Sequence, residues 1–397
     1  MSPSDRARLD RAVKPDDSPF TTFLVSPWSK YIAWSAARRG LTPNQVTTVS
    51  LAVAVLAAGC FAVGLRPTYV VGAVLLQLSF GLDCADGQLA RLTGRFSPLG
   101  GWLDAMFDRL KEYVVYAGLA VGGARTGDDV WLLAALALTL QTVRHALDSA
   151  YAMTPAAVRA KNEGVERRAT GGRRRWHWGR KVAIFPIGER WAAISVLAAL
   201  TSPRIVFIAL LVAGGFAAAY MFAAQVRHSL RPAGGAAAPG ASAALLRMCG
   251  AGPILTAVIR AVGRGRSLPV RWSWVVPPLL RAGEYAAVLA ASRLSGAGVG
   301  ALAYAYLLAL VWHHYDADYR SRHRVAASVR SVAAGLGGFE VRILAVVALA
   351  VAGADVYTIG IAILTGVLVI VAVAQVVDLR RRLESAGRES AARSGDT

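Results

Sequence analysis

Runs of about twenty apolar residues recur along this chain. At that length an α-helix crosses the hydrocarbon core of a bilayer, where each backbone N–H and C=O has to be satisfied within its own segment. Six such runs lie at 45–64, 68–91, 100–122, 129–150, 184–201 and 204–226. Four more lie at 273–292, 296–312, 341–353 and 356–377, the third of them short. The pattern predicts an all-α, polytopic integral membrane protein with a six-helix core and about four further transmembrane helices. Composition agrees: 55% of the 397 residues are apolar, and 39 glycines suit close helix packing in lipid. A soluble domain is excluded.

The segments between the runs organise the chain. Residues 1–40 form a cytoplasmic N-terminus with an interfacial amphipathic helix, in which Phe23, Leu24, Trp28, Tyr31, Ile32 and Trp34 alternate with Lys30, Arg38 and Arg39. No signal peptide is expected in the polar stretch before it, so the first span directs insertion. The first membrane domain covers 41–228, an Ala/Gly/Pro-rich linker 229–250, a second membrane domain of unknown role 251–382 and a polar tail 383–397. The connection at 151–183 carries nine Lys and Arg residues, among them Arg173 to Arg175 and Lys181, whereas the links at 65–67, 123–128 and 202–203 are short and lack such clusters. The positive-inside rule therefore places that loop, and both termini, in the cytoplasm. The net charge of +20 belongs to these juxtamembrane segments, which face anionic lipid, and not to a nucleic-acid surface. Three scattered cysteines provide neither a disulfide framework nor a paired-cysteine zinc site.

Polar chemistry is concentrated between Asp83 and Asp108. The order is Asp83-Cys-Ala-Asp86-Gly87-Gln-Leu-Ala90-Arg91, eight residues, then Gly100-Gly-Trp-Leu-Asp104-Ala-Met-Phe-Asp108. Acids at membrane depth are costly unless paired or bound to a cation. Spacings of three and four put Asp83 and Asp86 on one helix face and Asp104 and Asp108 on one face of the next. Four carboxylates match the charge of two divalent cations, and hard oxygen ligands suit Mg²⁺ or Mn²⁺. Two-metal sites recur where displacement at phosphorus stabilises an entering and a leaving oxygen. Gly87 lets a phosphate approach the backbone, and Arg91 lies within reach of the same face.

This stretch resembles the signature of the CDP-alcohol phosphotransferases, D-x2-D-G-x2-A-R-x8-G-x3-D-x3-D, and meets it at each fixed position. The resemblance covers roughly residues 40–226. It implies six helices around a polar cavity open to the cytoplasm, a CDP-alcohol donor such as CDP-diacylglycerol, attack by a second alcohol and release of CMP, in phospholipid biosynthesis. By the same resemblance Asp83, Asp86, Asp104 and Asp108 are metal ligands, and Asp108 is also the general base. Gly87, Ala90 and Arg91 border the nucleotide, with Asn44 and Thr47 as further contacts from the start of the first span. A homodimer among membrane lipids is implied as well.

Acceptors in this class are alcohols or polyol phosphates, and basic residues facing the cavity would tell them apart. Arg144, inside an apolar span, and Lys181 and Arg190, leading into the fifth span, are the candidates. A phosphate-binding role for them points toward inositol phosphate. In the second domain Arg281 and Glu284 are spaced to pair with each other, and the polar run His313 to His323 reads as the interfacial end of a span. The alternative is an ion-coupled transporter with the aspartates as its cation site, which calls for inverted repeats and broken helices that the sequence does not display.

Overall fold

The computed structural model describes residues 3–14, 17–160, 174–231, 249–250, 252, 272–323 and 337–395. Most of the expected linker and the 161–173 part of the basic loop lie outside these residues. Every regular element among the described residues is helical. The α-helices in chain order are α1 (Pro3–Ala12), α2 (Ser26–Arg38), α3 (Pro43–Val63), α4 (Arg66–Thr93), α5 (Pro98–Arg125), α6 (Trp131–Ala152), α7 (Arg174–Ala183), α8 (Ile187–Leu200), α9 (Pro203–Leu230), α10 (Val276–Leu294), α11 (Ala301–His323), α12 (Gly338–Val351) and α13 (Ala354–Gly395), with a π-helical turn at Thr21–Val25 and a 3-10 turn at Ser273–Val275. Each expected apolar run falls on one of them. Among the described residues four helices are long and apolar enough to cross a membrane, α3, α4, α9 and the Ala354–Arg382 part of α13, fewer than the ten spans expected.

Local chemistry sets the helix ends that frame the aspartates. Thr42 caps α3 in a reciprocal box: its hydroxyl accepts from the Gln45 N–H at 3.3 Å, and the Gln45 side chain accepts from the Thr42 N–H at 2.8 Å. Pro43 takes the first helical position, where the missing N–H costs nothing. Helix α4 ends on Gly94 at φ 70°, a left-handed cap that favours glycine. Ser97 then starts α5, accepting from the Gly100 N–H at 2.9 Å, with Pro98 behind it. This tight turn sets Asp83 and Asp86 toward the C-terminal end of α4 and Asp104 and Asp108 in the first turns of α5.

Contacts divide the chain into two compact units, one of residues 1–137 and 171–221 and one of 138–170 and 222–397. In the first, α3 packs on both α4 and α5. The α3–α5 approach depends on small residues: a Cβ at Gly118 would lie 2.3 Å from the Ala58 carbonyl oxygen, and one at Gly122 2.1 Å from that of Phe61. Between α3 and α4, the Ser50 hydroxyl donates to the Ser79 carbonyl at 2.8 Å and the Ser79 hydroxyl returns the bond at 2.7 Å. Helix α2 buries Ser29, Ala33 and Ala36 against α4 and leaves Trp28 and Tyr31 outward, with Phe23 and Leu24 exposed in the turn before it.

The second unit buries several charges, and here two expectations are corrected. Arg281 does not pair with Glu284 on its own helix. Its guanidinium donates to Asp318 of α11 at 2.7 and 2.5 Å, while Glu284 accepts from Arg342 of α12 at 2.6 and 3.2 Å. Partners on neighbouring helices can meet a guanidinium fork end-on, which a residue one turn away cannot. Nor is the His313–His323 run an interfacial edge. It continues α11, and His314, Asp316 and Asp318 are no more than 5% exposed. His314 faces Glu284 at 3.3 Å and the Tyr285 hydroxyl at 2.7 Å.

Candidate active site

Asp83, Asp104 and Asp108 each present a carboxylate oxygen within 4.8 Å of the other two. Asp104 is exposed, whereas Asp83 and Asp108 are partly buried. Asp86 stands beside this triad but is engaged elsewhere: the Thr47 hydroxyl, which is also 3.0 Å from the Pro43 carbonyl, donates to its carboxylate at 2.5 Å. Thus two of the candidate contacts, Thr47 and Asp86, bind one another. Asn44 comes close too. A Cβ at Gly100 would lie 2.8 Å from Asn44 Oδ1 and 3.0 Å from Ser97 Oγ, so only glycine lets the starts of α3 and α5 approach this far.

One residue of this cluster escaped the sequence reading. Lys111, fully buried, hydrogen-bonds Asp83, lies 3.1 Å from Asp108 Oδ1 and reaches the Ser50 hydroxyl at 3.2 Å. Its ammonium also sits 5.6 Å from the centre of the Trp191 ring. The signal was available: Lys111 is one helical turn beyond Asp108, on the same face of an apolar segment. A single ammonium offsets one of four carboxylate charges. Asp108 Oδ1 is buried and faces the Lys111 ammonium at 3.1 Å. Hard oxygen donors and residual negative charge fit divalent cations of the Mg²⁺ or Mn²⁺ type.

Beyond the aspartates, Glu112 and Arg190 form a second buried pair, with Nε and Nη2 donating to the two carboxylate oxygens at 2.9 Å each. Arg190 Nη1 donates to the Phe185 carbonyl at 2.9 Å, and the Tyr116 hydroxyl donates to Glu112 at 2.7 Å. Glu112 was likewise missed, although it follows Lys111 directly. Lys181 donates to the Asp17 carbonyl and lies 5.0 Å from the Trp178 ring centre. Arg144 belongs to the second unit, where its Nη1 lies 3.5 Å from Gln141 Oε1. On α4, Gly87 and Ala90 are half-buried, and the Arg91 guanidinium extends over Gly87, 3.4 Å from where its Cβ would stand.

Residues 40–226 match the CDP-alcohol phosphatidyltransferase family model, and residues 233–391 match a family of unknown function, DUF5941. An archaetidylinositol phosphate synthase of Pyrococcus horikoshii is 35% identical over 101 residues, 25% of this chain and 52% of that protein. A bifunctional IPC transferase and DIPP synthase of Rubrobacter xylanophilus is 42% identical over 83 residues, 21% of this chain and 18% of the relative. A phosphatidylinositol phosphate synthase of Streptomyces avermitilis is 30% identical over 110 residues, 28% and 43% of the two chains. The chain thus spans about half or less of the length of these curated relatives.

Proposed function

From a chain whose residues 40–226 are a CDP-alcohol phosphatidyltransferase domain, we propose a membrane transferase that moves a phospho-alcohol group from a CDP-alcohol to an acceptor alcohol and releases CMP. The observation that carries the reading is the convergence of Asp83, Asp104 and Asp108 at the α4–α5 turn, with the rest of the motif around them. Two divalent cations held by these aspartates and Asp86 would neutralise the donor diphosphate and stabilise the entering and leaving oxygens. Asp108 accepts the proton of the attacking hydroxyl; general-base assistance of this kind contributes about 10²–10⁴-fold. Lys111 holds Asp83 and Asp108 in place from the buried side. Gly87 leaves room for the diphosphate, and Arg91 offers it a cation.

For the donor we assign CDP-diacylglycerol or a related CDP-linked lipid, and for the acceptor an inositol phosphate, the class that the relatives' names point to. Arg190 and Lys181 are the basic candidates for the acceptor's phosphate in the first unit. Arg190 would meet it by giving up part of its pairing with Glu112. The site opens to the cytoplasm, where a cytidine nucleotide is available, and the enzyme works as a homodimer.

The test is direct. Purified protein with Mg²⁺, CDP-diacylglycerol and an inositol phosphate should release CMP, EDTA should stop the release, and Asp108→Asn should reduce it about 10²–10⁴-fold. Equal rates for wild type and Asp108→Asn across a panel of CDP-alcohols and acceptors would sink the reading.

A further inference from the structure

Helix α1 precedes the residues matched by the family model, and the chemistry proposed above gives its arginines no part. Arg8 and Arg11, three apart on one face of α1, meet Arg91 of α4 around a single cavity of about 220 Å³, completed by Ala12 and Leu92. Helix α1 is tied down at that place. Leu9 and Ala12 are buried, the Asp10 carboxylate accepts from Lys30 of α2 at 2.6 Å, and Arg91 Nε donates to the Ala12 carbonyl at 2.6 Å. That last bond sits at the C-terminal end of α1, where the helix presents carbonyls and attracts a cation.

Three guanidiniums around one cavity repel each other. All three are exposed at the pocket's rim; Arg11 donates from Nε to the Ala7 carbonyl at 3.2 Å, and among the described residues no carboxylate forms an ion pair with any of them. An arrangement of that kind is stabilised by an anion, and guanidinium forks match phosphate oxygens in pairs. The pocket shares a residue with the aspartate motif, since Arg91 lines it and extends over Gly87.

We infer that Arg8, Arg11 and Arg91 form a binding site for a phosphate-bearing group, two of its three cations being supplied by the N-terminal helix. The phosphate has two sources, a soluble diphosphate such as that of a CDP-alcohol or the headgroup of an anionic membrane lipid. Both offer the same oxygens to the same forks. In either case α1 is a binding element.

The full-length protein in detergent, with EDTA present so that no metal contributes, is titrated calorimetrically with inorganic pyrophosphate and with CDP. Native mass spectrometry counts phosphatidic acid and phosphatidylcholine molecules retained in parallel. In Arg8→Gln/Arg11→Gln, affinity for the soluble phosphates is expected to fall about tenfold or more if the source is soluble, the worth of one lost charge-assisted bond. If the source is lipid, retention of phosphatidic acid falls and that of phosphatidylcholine does not. Arg8→Lys/Arg11→Lys keeps the charge without the forks and should fall between. Unchanged binding of both ligand types in the Gln variant overturns the inference. Because this inference rests on the transferase reading at Arg91, Asp108→Asn is the control: it should reduce CMP release about 10²–10⁴-fold and leave pyrophosphate binding in EDTA intact. Failure of the transferase reading and failure of this one are therefore read separately.

Discussion

At Lys111 two requirements meet. The carboxylates of Asp83 and Asp108 need a positive charge, and the ammonium, fully buried, needs the carboxylates. Removing one partner of a buried pair costs about 3–5 kcal/mol because the other charge is left uncompensated. Lys111→Met should therefore lower the unfolding temperature markedly in EDTA, and Mg²⁺ should restore more stability to the variant than to wild type, since cations would take over the compensation. Equal Mg²⁺ responses in a melting assay would show that the aspartates do not hold metal. Glu112→Gln is a parallel case. It strips Arg190 of its counter-charge, so a similar loss is expected, but without rescue by Mg²⁺.

Among the elements, α3 and α5 depend on backbone contact. Gly118 and Gly122 are one turn apart, and each would drive a Cβ to within about 2.3 Å or less of a carbonyl oxygen on α3. Backbone cannot yield as a flexible side chain can. Gly122→Val should cost about 1–3 kcal/mol or more by overpacking. Because α5 carries Asp104, Asp108 and Lys111, CMP release should fall with it. Folded protein of wild-type stability and activity would show that the helices do not approach this closely. The apolar runs that become α3, α4 and α5 were legible in the sequence to within a few residues, and local signals set their ends: Thr42 with Gln45 starts α3, Gly94 stops α4, Ser97 with Pro98 starts α5. The second unit was less legible. Arg281 and Glu284 have the spacing of a pair, yet each found a better-oriented partner on another helix, and α11 carries His314 and Asp318 inward where a polar edge was expected.

For the molecule as a whole, its many outward apolar side chains and its long apolar helices make it an integral membrane protein. Alkaline carbonate washing should leave it in the membrane pellet. The proposed orientation is tested at the α4–α5 turn: in a cysteine-free background, Arg95→Cys should react with a membrane-impermeant maleimide from the cytoplasmic side alone. Labelling from the opposite side would put the aspartates out of reach of cytoplasmic nucleotide.

By itself the sequence determined the all-helical class, the apolar runs that become helices and the acids that gather between α4 and α5. All of these rest on apolar length, caps and spacings within a few residues of one another. The tertiary structure decided which charges meet. Lys111 reaches Asp83 across 28 residues and Arg190 reaches Glu112 across 78, while Asp86 turns to Thr47 at a separation of 39. Such pairings depend on how helices cross and rotate, and in a buried setting an ionised group takes the partner with the best geometry rather than the nearest one in the chain.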